Sequence, residues 1–121
     1  EIVARGFDVV MDEVIDASMD ECDGVFLSVD IDVVDPGSAP GTGTPEPGGL
    51  TARQLLDAVR DIAYRVPLLG IDVVEVSPPY DHADITALLG NRVVLEALSG
   101  MAKRKSGEPW DKSQPLLDGR S

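Results

Sequence analysis

The chain has 121 residues, of which 43% are hydrophobic and 26% are charged, and this composition suits one globular domain and excludes a long disordered or collagen-like chain. Its 22 acidic residues outnumber its 10 basic ones, for a formal net charge of −12, which excludes nucleic acid as a partner and favours cations or cationic substrates. No apolar run approaches the roughly 20 residues of a membrane span, and the single cysteine, Cys22, predicts a reducing, cytoplasmic setting and a buried thiol.

The first half of the chain reads as a helix, a strand and a long loop. Apolar residues recur at the helical period from Phe7 to Met19, with Asp8 as the expected N-cap. The mostly apolar run Val25–Val29 predicts a strand buried on both faces, as in a parallel sheet. Residues 35–49 are rich in proline and glycine, which predicts a loop of the length that is usually functional in a compact domain.

The second half repeats the order of helix and strand. Thr51 and Gln54 form a capping box that predicts the start of a second helix. A second buried strand is expected from Leu68 to Val76, and Asp84 is expected to cap a last helix. Its predicted apolar side consists of Ile85, Leu88, Leu89, Leu95, Leu98 and Met101. This order predicts an α/β domain with parallel strands over residues 1–105, followed by a polar, mobile tail over residues 106–121.

Two aspartates follow the first predicted strand. Because side chains two residues apart in a strand point the same way, we expect Asp30 and Asp32 to direct two carboxylates at one place. Such hard oxygen ligands suit Mg²⁺, Ca²⁺ or Mn²⁺. A solvated strand end, or aspartates that cap the following loop, is the alternative.

A glutamate occupies the corresponding place on the second predicted strand. Glu75 lies between Val74 and Val76, and a parallel arrangement would bring it to the same edge of the sheet as the two aspartates. The alternative is a glutamate that emerges into solvent. His82 is the only histidine of the chain, so a multi-histidine zinc site within the chain is excluded, and its place in a loop favours a surface role over catalysis.

Four segments together resemble the second-half signature of the ureohydrolase family, which contains the arginases and agmatinases. They are SVDIDVVDP (residues 28–36), APGTGTP (39–45), GGL (48–50) and VEVSPPYD (74–81), the last in its agmatinase-like form. The resemblance covers about residues 8–102. It implies that residues 1–105 are the C-terminal part of a three-layer α/β/α domain built around a parallel sheet. The Gly-Gly-Asp-His and Asp-x-His-x-Asp segments of the family's N-terminal half do not occur in the chain.

The resemblance also implies a chemistry for particular residues. Asp30 and Asp32 are expected to be ligands of a dinuclear Mn²⁺ site, Glu75 to face the guanidinium of the substrate, and Thr44 to line the substrate pocket. The implied reaction is hydrolysis of a small cationic guanidino compound such as agmatine to urea and an amine, in a cytoplasmic homo-oligomer. No catalytic residue is assigned, because His82 does not match the family's catalytic histidine, and the chain alone is expected to be inactive.

Other functions are compatible with the same residues. Within the family, guanidinobutyrate, arginine or formimidoylglutamate are alternative substrates. Outside it, the alternative is a non-catalytic acidic module that binds Ca²⁺ or a partner protein.

Overall fold

The computed structural model describes residues 2–20 and 22–109. Helix α1 (Ile2–Arg5) and helix α2 (Phe7–Ser18) precede strand β1 (Val25–Asp30), helix α3 (Ala52–Arg65), strand β2 (Leu68–Val74) and helix α4 (Ile85–Ser106). Short 3₁₀ helices, Ile31–Val33 and Pro78–Tyr80, follow the two strands. The expected polar tail begins at the last residue of α4, and its residues from 110 onward lie outside the described residues.

The two strands form a parallel sheet, with α3 as the connection between them. Val29 pairs with Val73, and Asp30 pairs with Val74 at the end of both strands. The carboxyl ends of β1 and β2 therefore lie at the same edge of the sheet. The predicted α/β architecture with parallel strands is confirmed.

One face of this sheet carries the hydrophobic core. Side chains from β1, α3 and α4 and from the segment after β1 form a single buried cluster. Its members are Val29, Ile31, Val34, Ala39, Leu55, Val59, Ala63, Leu89, Val93 and Ala97. On the opposite face, Phe26 is 62% exposed and Val74 is 37% exposed. Within the described residues the sheet is thus covered by helices on one face.

Helices α3 and α4 approach each other closely around small residues and an ion pair. A Cβ at Gly100 would lie 2.6 Å from the carbonyl oxygen of Arg60, so only glycine fits there without a shift. Glu96 is fully buried, and its carboxylate accepts hydrogen bonds from the Nε atoms of Arg60 and Arg92, each 2.8 Å long. Charges are tolerated in a core when they are paired and hydrogen-bonded in this way.

This packing corrects the predicted core face of α4. Leu89 is buried as expected, but the other predicted apolar residues are exposed. They are Ile85, Leu88, Leu95, Leu98 and Met101. The reason is that Glu96, Ala97 and Gly100 face α3. By length and composition alone α4 matches a membrane span, yet its buried side is packed as in the core helix of a domain.

Of three local predictions, the capping box of α3 agrees with the structure, whereas the cap of α2 and the burial of Cys22 do not. The capping box of α3 is confirmed, since the Gln54 amide donates to Thr51 Oγ1 over 3.1 Å and the Thr51 amide donates to Gln54 Oε1 over 2.9 Å. Asp8 lies in the first turn of α2, whose N-cap is Gly6, so the predicted cap was wrong. Cys22 is exposed rather than buried, because it lies in the connection between α2 and β1.

Candidate functional site

The carboxyl end of β1 carries the two aspartates in a turn rather than in a strand. β1 ends at Asp30, and the chain continues as the 3₁₀ helix Ile31–Val33. Asp30 is the N-cap of this helix, and its Oδ1 accepts a hydrogen bond of 3.2 Å from the amide of Asp32. The expectation that both aspartates lie in one strand was therefore wrong at Asp32. Aspartate favours such capping turns because its short carboxylate reaches the amide two residues on.

Thr44 lies directly against the second aspartate. Its hydroxyl donates a hydrogen bond of 2.7 Å to Asp32 Oδ2. The loop after β1 thus folds back over the strand end and brings together two residues that the sequence assigned to the metal site and the substrate pocket. The proximity of the two side chains is observed, whereas metal binding by Asp32 and substrate binding by Thr44 stay predictions.

The loop that carries Thr44 is closed at its base by Asp35. The Asp35 carboxylate accepts hydrogen bonds of 2.9 Å from the amides of Gly37 and Gly48, and Val34 pairs with Leu50 where the loop begins and ends. Hydrogen bonds from Gly48 and Gly37 lower the pKa of the Asp35 carboxyl. Sequence reasoning gave Asp35 no role, although an aspartate before proline and glycine is a common turn signal.

Glu75 lies at the same edge of the sheet, immediately after β2. β2 ends at Val74, which pairs with Asp30, so the prediction of a strand through Val76 was wrong at its last two residues. Glu75 is exposed and has a backbone φ of +65°. This left-handed conformation costs a residue with a side chain about 1–2 kcal/mol, and such strain is found most often at functional sites. Within the described residues, no hydrogen bond joins Glu75 to Asp30, Asp32 or Thr44.

The N-terminus of α4 is capped from a distance by Asp81. Asp84 occupies the N-cap position of α4, as predicted, but it has a φ of +58° and its side chain makes no capping hydrogen bond. The Asp81 carboxylate instead accepts hydrogen bonds of 3.0 Å from the amides of both Thr86 and Ala87, and one of 2.9 Å from the amide of His82. Desolvation opposes the charged form of Asp81, but these bonds and one from the Thr86 hydroxyl outweigh it and lower its pKa to about 2.

The same contacts connect α4 to the loop after β1. The amide of Gly41 donates a buried hydrogen bond of 2.7 Å to Thr86 Oγ1. The carbonyl of Gly41 accepts one of 2.7 Å from the amide of Ser77, two residues after Glu75. His82 is exposed, in agreement with its predicted surface role. Neither Thr86 nor Asp81 was singled out from the sequence.

The donor set for a metal ion is partial. Asp30 and Asp32 offer the oxygen donors that Mn²⁺, Mg²⁺ and Ca²⁺ prefer. Among residues 2–20 and 22–109, however, no group of three or more histidine, cysteine, aspartate or glutamate side chains is arranged to hold a metal. The two carboxylates therefore fit manganese in their chemistry, and further ligands would have to come from outside the described part of the chain.

Comparison with known sequences decides the family. Residues 1–100 match the family model of the arginase family. The chain belongs to the arginase family. The resemblance stated from its motifs is thereby confirmed, and a hydrolase of the ureohydrolase type is established at the level of the family.

Individual members of the arginase family align well with this chain. It is 52% identical over 79 residues to the proclavaminate amidinohydrolase of Streptomyces clavuligerus, covering 65% of this chain and 25% of that protein. It is 48% identical over 80 residues to an agmatinase of Bacillus cereus, covering 65% of this chain and 28% of that protein. The chain spans about a quarter of the length of these curated relatives.

A solved structure of the family confirms the arginase fold. The crystal structure of formimidoylglutamase from Bacillus subtilis superimposes with a TM-score of 0.80 at 40% sequence identity. The superposition covers 84% of this chain and 32% of the formimidoylglutamase chain. The described α/β unit is thus about a third of an arginase-family fold.

Proposed function

We propose that this chain supplies the carboxylate-bearing part of the active site of a manganese-dependent amidinohydrolase. The reaction is cleavage of a guanidino compound such as agmatine to urea and an amine. The observation that carries the proposal is the placement of Asp30, Asp32 and Glu75 at one edge of a parallel sheet, with Thr44 bonded to Asp32. Ligand sites of open α/β sheets lie at this edge.

Each of these residues has a distinct part in the proposal. Asp30 and Asp32 would hold manganese together with ligands from the rest of the fold, and the bound metal would supply a water of lowered pKa. Glu75 would bind the guanidinium through charge-assisted hydrogen bonds. Thr44 would line the same pocket, placed there by its bond to Asp32.

The covalent change follows from the substrate. The oxygen of a water molecule forms a bond to the guanidinium carbon, and the bond from that carbon to the substituted nitrogen breaks. Both protons of the water pass to the departing nitrogen, which leaves as the protonated amine, and the carbon with its two NH₂ groups and the new oxygen is released as urea. The carboxylate of Glu75 orients the planar cation so that one face of its carbon is open to the water.

The substrate class is argued from charge and from the relatives. The net charge of −12 and the carboxylates at the sheet edge attract cations. The aligned relatives are named for three different substrates: proclavaminate, agmatine and formimidoylglutamate. Their identities to this chain are 52%, 48% and 40%, so the substrate is argued from a motif rather than from overall identity. Agmatine is placed first because residues 74–81 resemble the agmatinase-like form. Guanidinobutyrate, arginine and formimidoylglutamate are the alternatives.

The assembly and setting of the protein are part of the same proposal. Phe26 and Leu69 on the open sheet face and Leu98 on α4 are more than half exposed, an arrangement that favours contact with further protein. We place the protein in the cytoplasm as a homo-oligomer, with neither nucleic acid nor membrane as a partner. The two described aspartates are too few to hold two metal ions, so the isolated chain is expected to be inactive.

The test uses a whole-length protein, defined as a polypeptide of the length of the relatives that contains this segment. It is either the product of the segment's own gene or the Bacillus cereus agmatinase in which this segment replaces the matching quarter. Agmatine, guanidinobutyrate and arginine are supplied with Mn²⁺ and urea is measured; for formimidoylglutamate, formamide is measured. We expect urea from at least one guanidino compound.

Variants separate the roles. Asp30→Ala and Asp32→Ala should lower both the bound manganese and the turnover by at least about 100-fold, since each removes an anionic ligand. Glu75→Gln should keep the manganese and weaken substrate binding. Asp23→Ala, which removes an exposed carboxylate before the opposite end of β1, is the matched control and should change neither. Full activity in Asp30→Ala, or metal loss in Glu75→Gln, would contradict the assignment.

A further inference from the structure

Gly41 is the point at which the two arms of the site meet. One arm runs from Gly41 to Thr44, whose hydroxyl is bonded to Asp32. The other runs from Ser77, bonded through its amide to the Gly41 carbonyl, back to the left-handed Glu75. The relative position of Thr44 and Glu75 therefore depends on how firmly Gly41 is held.

Asp81 and Thr86 hold Gly41 from the other side. The Gly41 amide donates to the hydroxyl of Thr86, a fully buried side chain, and the backbone amide of the same Thr86 donates to the Asp81 carboxylate. Asp81 is in turn fixed by the amides of Thr86 and Ala87 in the first turn of α4. A Cβ at residue 41 would lie 2.7 Å from the Cβ of Asp81, so the loop backbone rests directly against this carboxylate. We call Gly41, Thr86 and Asp81 the clasp.

We propose that Asp81 is a positioning residue, which acts through Thr86 and Gly41 to hold Thr44 and Glu75 in the mutual arrangement that binds the substrate. The substrate named in this inference rests on the proposed function, whereas the contacts of the clasp do not depend on it. Asp81 has no direct part in the proposed chemistry, because its carboxylate is occupied by the amides of His82, Thr86 and Ala87. Its effect is on geometry, and a displacement of about 1 Å in a site can cost about 100-fold in rate.

The first variant is Asp81→Asn, which has the same shape but replaces one carboxylate oxygen by an NH₂ group. Both oxygens of Asp81 accept hydrogen bonds from backbone amides, so either orientation of the asparagine loses at least one of them. The second is Thr86→Val, which removes the hydroxyl that accepts from the Gly41 amide and keeps the volume. Thr86→Ser keeps the hydroxyl and should behave as the wild type. Asp84→Asn is the matched control, since Asp84 is an exposed carboxylate at the same helix end without a capping bond.

Two measurements on the whole-length protein decide the proposal. Amide hydrogen exchange at Gly41 and Ser77 should become at least about 10-fold faster in Asp81→Asn and Thr86→Val, and should not change in Thr86→Ser or Asp84→Asn. In the same two variants kcat/KM should fall by about 10–100-fold with a raised KM and unchanged manganese content. A residue that only kept the protein folded would lower kcat through loss of active molecules and leave KM as it was.

The outcomes separate this inference from the proposed function. Unchanged exchange in Asp81→Asn would refute the clasp, and faster exchange with an unchanged KM would refute its effect on the substrate. If Asp81→Asn fails to fold, the pair Thr86→Val and Thr86→Ser decides by the same two measurements. A wild-type protein that hydrolyses none of the compounds would refute the proposed function, and the exchange rates would still decide whether Asp81 holds the loop.

Discussion

Replacement of Glu75 by glycine should stabilise the chain, although glycine destabilises most positions. Glu75 has a φ of +65°, a conformation that costs a residue with a Cβ about 1–2 kcal/mol and costs glycine almost nothing. Glycine also makes the unfolded chain more flexible, which opposes the gain by about 0.4–1 kcal/mol. The comparison of Glu75→Gly with Glu75→Ala isolates the backbone, because both variants remove the same exposed carboxylate. We expect Glu75→Gly to be the more stable by about 1 kcal/mol.

Urea unfolding of the 121-residue chain, followed by circular dichroism, measures this difference. With an m value of about 2 kcal/mol/M, a gain of 1 kcal/mol moves the midpoint up by about 0.5 M. The control pair is Asp57→Gly and Asp57→Ala, at an exposed residue of α3. There glycine should be the less stable by about 1 kcal/mol, because the backbone is right-handed and helical.

The prediction is wrong if Glu75→Ala is as stable as Glu75→Gly or more stable, while the control pair shows the usual order. Left-handed strain at residue 75 would then be absent. If the expected order is found, and both Glu75 variants lose activity in the whole-length protein, the chain accepts a local cost in stability at the residue that we assign to substrate binding.

Two further predictions concern the isolated chain and its response to acid. The purified chain with Mn²⁺ and agmatine should release no urea and should bind Mn²⁺ only at about millimolar concentration, as is typical of sites with few protein ligands; urea production free of host enzyme would contradict this. The pKa of Asp81 is lowered to about 2, so its contribution to stability is complete above about pH 4 and is lost as the pH falls towards 2. The pKa of Asp35 is lowered too, so its contribution is lost in acid in the same direction. Urea midpoints between pH 5 and 2.5 should therefore fall less in Asp81→Asn than in the wild type, and an equal fall would contradict the assignment.

Local signals in the sequence predicted most of the fold. The apolar runs located both strands, since a buried parallel strand has no polar face. Thr51 and Gln54 located the start of α3, because a capping box involves residues only three positions apart. The order of the elements then placed the ends of both strands at one edge, where Asp30 and Glu75 were expected.

The errors arose where tertiary contacts choose between local possibilities. Asp84 occupies the N-cap position of α4 as predicted, but the amides of Thr86 and Ala87 donate to Asp81, whose Cβ lies close to Gly41. α4 has apolar residues on more than one side, and the buried pair of Glu96 with Arg60 on α3 decides which side faces the core. A pattern of hydrophobic residues carries no information about either partner.

The strain at Glu75 and the clasp are connected through the chain between them. A left-handed residue persists only where its neighbours prevent relaxation, and here Val76 packs against the core while Ser77 is bonded to Gly41. Four residues later Asp81 is held by the first turn of α4. Both flanks of Glu75 are fixed, β2 on one side and this segment on the other, so the backbone sets where its side chain starts. Within residues 2–20 and 22–109 no hydrogen bond occupies its carboxylate. A carboxylate held in this way keeps its oxygens available for a cationic ligand.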